Sequence, residues 1–286
     1  MFTDIPEVRS ETIAAVIVLN CVAMYIILTL VLMNSGLQSL EKHLGGMELR
    51  KLIAYLIASF LVIYSILLKT EKLTWKHLGL EEKKLVSALI ILGALVVVAN
   101  LVDVVPRLLL RTEVSLKQDF GVMFLAFGVE LFGTAFFEEV TIRAFLLPQI
   151  YKKLGKQWAE GEPKPTLQLF YAFVLSHLVF VGFHIPILLF VGSSPIHLLV
   201  RIGVVNTLGV IFTIVYLKTR NLILTIGVHA LVNAPLTLVE GSTMLGVFLF
   251  LLIPFLFVMD YVSSDQKIPT FTRPTSTDIR CQTRAQ

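Results

Sequence analysis

Eight apolar runs of roughly twenty residues recur along this chain, the length an α-helix needs to cross a hydrocarbon core about 30 Å thick. They fall at Thr12–Met33, Leu52–Leu68, Val86–Val105, Gly121–Phe145, Leu167–Pro186, Ile196–Leu217, Leu222–Leu236 and Thr243–Asp260. The fourth is long for one span and the seventh is short. Inside lipid every backbone polar group must be paired within the protein, so only helices and closed barrels span a membrane. These runs are too long, and too free of two-residue alternation, for barrel strands. Hydrophobic residues make up 56% of the 286 and charged ones 15%, against about 45–50% and 25% in soluble domains. The expected fold is all-α: a polytopic membrane protein of about eight transmembrane helices around an intramembrane cavity. A single helical domain is expected over residues 1–262. A disordered cytoplasmic tail rich in Ser, Thr, Pro and Gln is expected over 263–286.

Charge gives the orientation. Roughly sixteen Lys and Arg flank the spans on the side of the amino terminus. Roughly six (Lys42, Arg50, Lys51, Arg107, Arg111 and Lys117) lie on the other, which by the positive-inside rule puts both termini in the cytoplasm. The first run follows an acidic start (Asp4, Glu7, Glu11), so it reads as a retained anchor and not a cleaved signal. The expected home is a prokaryotic cell membrane, with the endoplasmic reticulum as the alternative. Between the second and third spans, Lys69–Lys84 mixes charge with Leu73, Trp75, Leu78 and Leu80, the pattern of a short interfacial helix with a Trp anchor. Residues 158–165 read as a polar loop. The net charge of +4 reflects topology; the bilayer is the expected partner and nucleic acid is not. Cys21 and Cys281 form neither a disulfide nor a zinc cluster.

Against this background a few polar groups stand out, because each ionised side chain at bilayer depth costs roughly 2.5–3.5 kcal/mol. The fourth run carries Glu138, Glu139 and, four residues on, Arg143. Glu139 and Arg143 stack as an i,i+4 pair, while Glu138 is rotated about 100° away with Ile142 at i+4. One carboxylate is tied down and its neighbour faces a cavity, where it is placed to act as a general base on water. A structural Glu–Arg clamp with a spare acid is the plainer alternative.

The fifth run carries Phe180 and His184 on one face, with His177 joining at i,i+7 and Pro186 expected to end or kink the helix just past His184. The seventh stacks His229 and Asn233 at i,i+4: an imidazole that can position water or hold a proton, and an amide that can donate to a developing oxyanion. Hydrogen bonds gluing helix to helix are the alternative for each. Glu130, two turns before Glu138, is expected to border the cavity. Arg201 and Asn206 are candidates to support the site, and Asp103 with Arg107 reads as a structural pair. His43, His77 and His197 lie in or near loops. A proton-coupled transporter uses the same residue types, but no paired halves with matching broken helices are visible.

The ordered set Glu138-Glu139-xxx-Arg143, Phe180-xxx-His184 and His229-xxx-Asn233 resembles the CPBP family, the CAAX proteases and bacteriocin-processing (Abi) enzymes that include the Ras-converting CAAX prenyl endopeptidases. The resemblance covers about Phe120 to Asn233, with a protease core at about 120–236; the first three spans match only in general character. It implies an intramembrane endopeptidase with a cavity open to the cytoplasmic leaflet. Glu138 would activate water with His184 helping to hold it. His229 would assist, and Asn233 would stabilise the oxyanion. Glu139, Arg143 and Phe180 would support the architecture. The implied partner is a membrane-associated protein or peptide, in the Ras-converting members a prenylated protein losing its last three residues; leader-peptide processing or self-immunity is the alternative. The family label metalloprotease raises zinc on Glu138, His184 and His229. HExxH is absent, and a metal-free, glutamate-type mechanism accounts for the same residues without a cofactor.

Overall fold

A computed structural model describes residues 2, 4–33, 49–157, 165–190 and 194–240. The eighth apolar run, the tail, His43 and residues 158–164 lie outside the described residues. The secondary structure of the described residues is helical: α1 (Ser10–Met33), α2 (Leu49–Ser59) running on as a π-helix over Phe60–Thr70, and α3 (Glu82–Leu109). Then come α4 (Phe120–Phe132), α5 (Thr134–Glu139), a second π-helical segment (Val140–Leu146), α6 (Leu147–Gln157), α7 (Pro165–Phe190), α8 (Pro195–Thr219) and α9 (Leu222–Asn233). Among the described residues the only β-pairing is one antiparallel bridge, Leu116 to Val239. Among the described residues, five helical stretches are long and apolar enough to cross a membrane: Arg50–Thr70, Glu82–Leu109, Phe120–Gln157, Pro165–Leu189 and Pro195–Thr219; Ser10–Ile26 and Leu222–Asn233 are shorter apolar helices. Large side chains such as Leu89, Ile90, Leu178 and Leu199 are more than half exposed around the bundle, as expected where the surrounding solvent is lipid. The protein is an all-α polytopic membrane protein.

The bundle is built around α9. Leu222 and every residue from Leu224 to Leu231 are buried, so this short span is apolar all round because it has neighbours all round. It packs on α3, α4, α5 and α8. Gly227 allows the approach to α3: a Cβ there would lie 2.2 Å from Leu92 Cδ1.

The fourth apolar run is not the single helix its length implied. It breaks at Gly133, where a Cβ would meet the Val129 carbonyl oxygen at 2.6 Å. Beyond the break the chain turns inward, and every residue of Val140–Leu146 is buried. Two other expectations are corrected. Pro186 does not end α7, which runs on to Phe190. Only one N–H is missing from a long ladder, and His184 Nδ1–H adds a bond to the Phe180 carbonyl at 2.9 Å. The Lys69–Lys84 segment forms turns in place of an interfacial helix, because Lys72 and Gly79 take positive φ (55° and 77°). Leu73 and Leu78 are nevertheless buried, and Trp75 packs 6.5 Å from Phe136.

The two ends of the bundle differ. At one end the segment Phe2–Val8 lies on α6: Gln149 accepts from Val8 N–H and donates to the Pro6 carbonyl, and Glu7 pairs with Lys153 and Lys156. At the other end α2 begins and α7 and α9 finish. There the strap after α9 is held by Asn100 of α3, which donates to the Leu236 carbonyl (2.9 Å) and accepts from Leu238 N–H (2.7 Å). Replacing Asn100 with Ala leaves both backbone groups unpaired and is expected to cost about 1–3 kcal/mol. The measurement is the thermal unfolding midpoint in detergent, and an unchanged midpoint would show that other contacts hold the strap.

Candidate active site

The polar groups of four spans meet around a cavity of about 400 Å³. Glu130, Thr134 and Glu138 line it from α4 and α5, Phe180 and His184 from α7, His229 and Asn233 from α9, and Lys51 from α2. Met24, Ile187, Val205, Leu208 and Phe212 complete the apolar wall. Lys51 is at the start of α2, Asn233 at the end of α9 and His184 near the end of α7. The lining residues thus place the cavity in the half of the bundle remote from Phe2–Val8.

Glu138 is buried, and its Oε2 makes no hydrogen bond to the protein. That oxygen lies 3.7 Å from His184 Nε2 and 3.9 Å from His229 Nε2. Both separations exceed a direct hydrogen bond, so the three polar atoms face one another without being paired. Its Oε1 is 3.5 Å from the Tyr55 hydroxyl of α2. The other nitrogen of each ring is already committed. His184 Nδ1–H donates to the Phe180 carbonyl, and His229 Nδ1–H donates to Glu139 Oε1 at 2.7 Å. Carbonyl and carboxylate oxygens only accept, so the proton is on Nδ1 in each ring. A neutral ring then turns the Nε2 lone pair towards Glu138.

Glu139 and Arg143 lie beneath the cavity with essentially no exposed surface. Arg143 Nη1 is 3.1 Å from Glu139 Oε1, but Nη1 forms no hydrogen bond of good angle, so the contact is ionic. Nη2 donates to the Gly209 carbonyl at 3.1 Å. The guanidinium lies 4.2 Å over the Phe180 ring and 5.8 Å from that of Phe212, a stacking suited to Arg. Phe180 in turn supports His184 at 4.6 Å, and Phe212 stacks on His229 at 4.3 Å. One buried cation thus braces both imidazoles through aromatic rings. Gly209 leaves room for this stack: a Cβ there would come within 2.6 Å of Phe180 and 2.7 Å of His177.

All seven residues singled out in the three motifs are in this region, and Glu138, Phe180, His184, His229 and Asn233 line one cavity. Glu130 borders it as expected. Asn233 Nδ2 donates to Glu130 Oε2 at 3.0 Å, a tie that spacing did not suggest. His177 pairs with Asn206 at 3.0 Å and stacks between Phe173 and Phe180, so both serve packing. Arg201 is exposed and does not line the cavity. Asp103 and Arg107 pair at 3.3 Å. His77 and His197 bond locally, to the Thr74 backbone and to Ser194.

Lys51 and Tyr55 were missed. Lys51 reads as a loop charge in the sequence, yet it stands in α2 and pairs with Glu130. One turn later Tyr55 reaches Glu138. The i,i+4 spacing of the two was the available signal. As for a metal, Glu139 is engaged by Arg143 and His229. Among the described residues no group of three His, Cys, Asp or Glu side chains is arranged to hold an ion.

Residues 120–235 match the family model described as Type II CAAX prenyl endopeptidase Rce1-like. The match begins with α4 and ends two residues after Asn233, so it contains every residue of the three motifs and supports the CPBP/CAAX family resemblance. No curated protein and no solved structure matches the chain.

Removing one member of a buried ion pair leaves an uncompensated charge, which typically destabilises by about 3–5 kcal/mol. Arg143→Met is expected to lower the unfolding midpoint strongly, and adding Glu139→Gln to recover much of the loss. Equal midpoints for wild type and Arg143→Met would show that the pair does not hold the fold.

Proposed function

We propose that this chain, whose residues 120–235 match the CAAX prenyl endopeptidase family, cleaves a peptide bond with water activated at Glu138. The observation that carries the reading is the buried Glu138 Oε2, free of protein hydrogen bonds and facing two imidazole nitrogens within one cavity. Water has two hydrogens to donate. One goes to Glu138 Oε2 and the other to His184 Nε2, which leaves an oxygen lone pair directed at the substrate. As that oxygen bonds to the scissile carbonyl carbon, its proton moves to Glu138. The oxyanion is met by the amide N–H of Asn233. Collapse then breaks the C–N bond, and Glu138 returns the proton to the leaving amine. A positioned base contributes about 10²–10⁴-fold and an oxyanion donor about 10²–10³-fold.

His229 is fixed from behind by Glu139, in the manner of a base oriented by a third group, and stands one turn from Asn233. No step requires a metal, so the reading is glutamate-type. The substrate class is a membrane-associated protein, in the first instance a prenylated one that loses its C-terminal tripeptide. An apolar bundle with polar groups gathered around one recess of about 400 Å³ suits a substrate delivered by a lipid anchor.

The test uses the purified full chain in liposomes, with a farnesylated CAAX peptide and its unprenylated control. Release of the tripeptide is expected from the farnesylated peptide, unchanged by chelator, and reduced at least ~10²-fold in Glu138→Ala. Cleavage that survives Glu138→Ala refutes the assigned base. Loss on chelation restored by zinc refutes the metal-free reading, and equal cleavage of both peptides refutes prenyl selectivity.

A further inference from the structure

We infer that Lys51, acting through Glu130, is a positioning device for Asn233, so that the oxyanion end of the site depends on a helix outside the matched region. This rests on the reading of Asn233 given above. Glu130 is buried, two turns before Glu138, at the top of the same cavity. One of its carboxylate oxygens accepts from Lys51 Nζ and the other from Asn233 Nδ2 at 3.0 Å. Lys51 is partly shielded, with 27% of its side-chain surface exposed, against 6% for Glu130.

The chemistry of an amide explains why such a device is useful. Asn presents a donor at one end and an acceptor at the other, and rotation about its last bond exchanges them. An ionised carboxylate only accepts. While Glu130 is charged, the end of Asn233 that faces it must be the nitrogen. One N–H is used in that bond, and the second, about 120° away in the amide plane, remains for a ligand. Were Glu130 replaced by a side chain that can donate, such as Gln, the facing group could meet the Asn233 carbonyl oxygen, and the amide could turn round. Lys51, in ionic contact with the other carboxylate oxygen, balances the charge of Glu130 and fixes its position. The three residues come from α2, α4 and α9, so the interaction also fixes the relative placement of three spans at the cavity. Lys51 is in contact with Glu130, and Glu130 with Asn233, so the path from Lys51 to the oxyanion end runs through Asn233.

The experiment is a mutant cycle on the full chain in liposomes with the farnesylated peptide. Glu130→Gln is expected to lower kcat at least ~10-fold with KM within about twofold, because orientation and not ground-state binding is lost. Asn233→Ala combined with Glu130→Gln should be no slower than Asn233→Ala alone, the non-additivity expected of residues acting in series. Lys51→Arg should retain activity, and Lys51→Met should not. Multiplying effects in the double variant, or a Glu130→Gln enzyme within twofold of wild type, overturns the inference.

Unfolding midpoints supply an arm independent of turnover. Lys51→Met should melt below Lys51→Met/Glu130→Gln, since the first strands a carboxylate; the reverse order overturns the pairing. A wild type that cleaves nothing while this order holds refutes the proposed function and not the Lys51–Glu130 tie.

Discussion

A carboxylate with no exposed surface, Glu139, is held between the Arg143 guanidinium and the His229 imidazole, and the cavity is arranged around that contact. Ions taken this far from water are stable only in company. Here the company is also what orders the site. The bond from His229 Nδ1–H fixes which nitrogen faces Glu138. The cation that balances Glu139 is the platform for Phe180 and Phe212, each of which backs one imidazole. The adjacent carboxylates therefore have separate work: the inner one holds Arg143 and His229 through a single oxygen, and the outer one turns an oxygen towards the two Nε2 atoms. The division follows from a rotation of about 100° between neighbouring helical residues.

Much of this was legible because lipid makes polarity conspicuous. Charged residues inside an apolar run carry a cost that packing alone rarely justifies, so Glu138, Glu139, Arg143, His184, His229 and Asn233 could be picked out one by one. Spacing of four placed the pairs correctly within each helix. Between helices the sequence has no ruler. That Glu139 would reach His229 across ninety positions, or Asn233 reach Glu130, depended on how α9 packs against α4 and α5. Gly133, Gly209 and Gly227 decide that packing by what they lack. Lys51 was hidden by a different effect. Near the end of a span, a lysine that caps a helix, snorkels to the interface or enters a site looks the same in one dimension.

The irregular stretch from Gly133 to Leu146 shows where hydropathy misleads. Its composition reads as one uninterrupted span. The chain instead breaks at a glycine, makes six residues of α-helix and widens into a π-helical turn, a distortion often found at functional sites. Such backbone is tolerated at membrane depth only where protein surrounds it, and here the whole of the widened turn is buried. The cost of irregularity is thus met by α7, α8 and α9 packing around it. The same enclosure keeps the two acids out of contact with hydrocarbon.

The position of Phe2–Val8 at the end of the bundle away from Lys51 and Asn233 has a practical consequence. Anything attached ahead of Phe2, such as a fluorescent reporter, an affinity handle or a tethered bait, would lie at the opposite end of the bundle from those two residues. Labels placed there can report on insertion and abundance without obstructing access. Sensors of substrate arrival belong instead on the connections that follow α3 and α7.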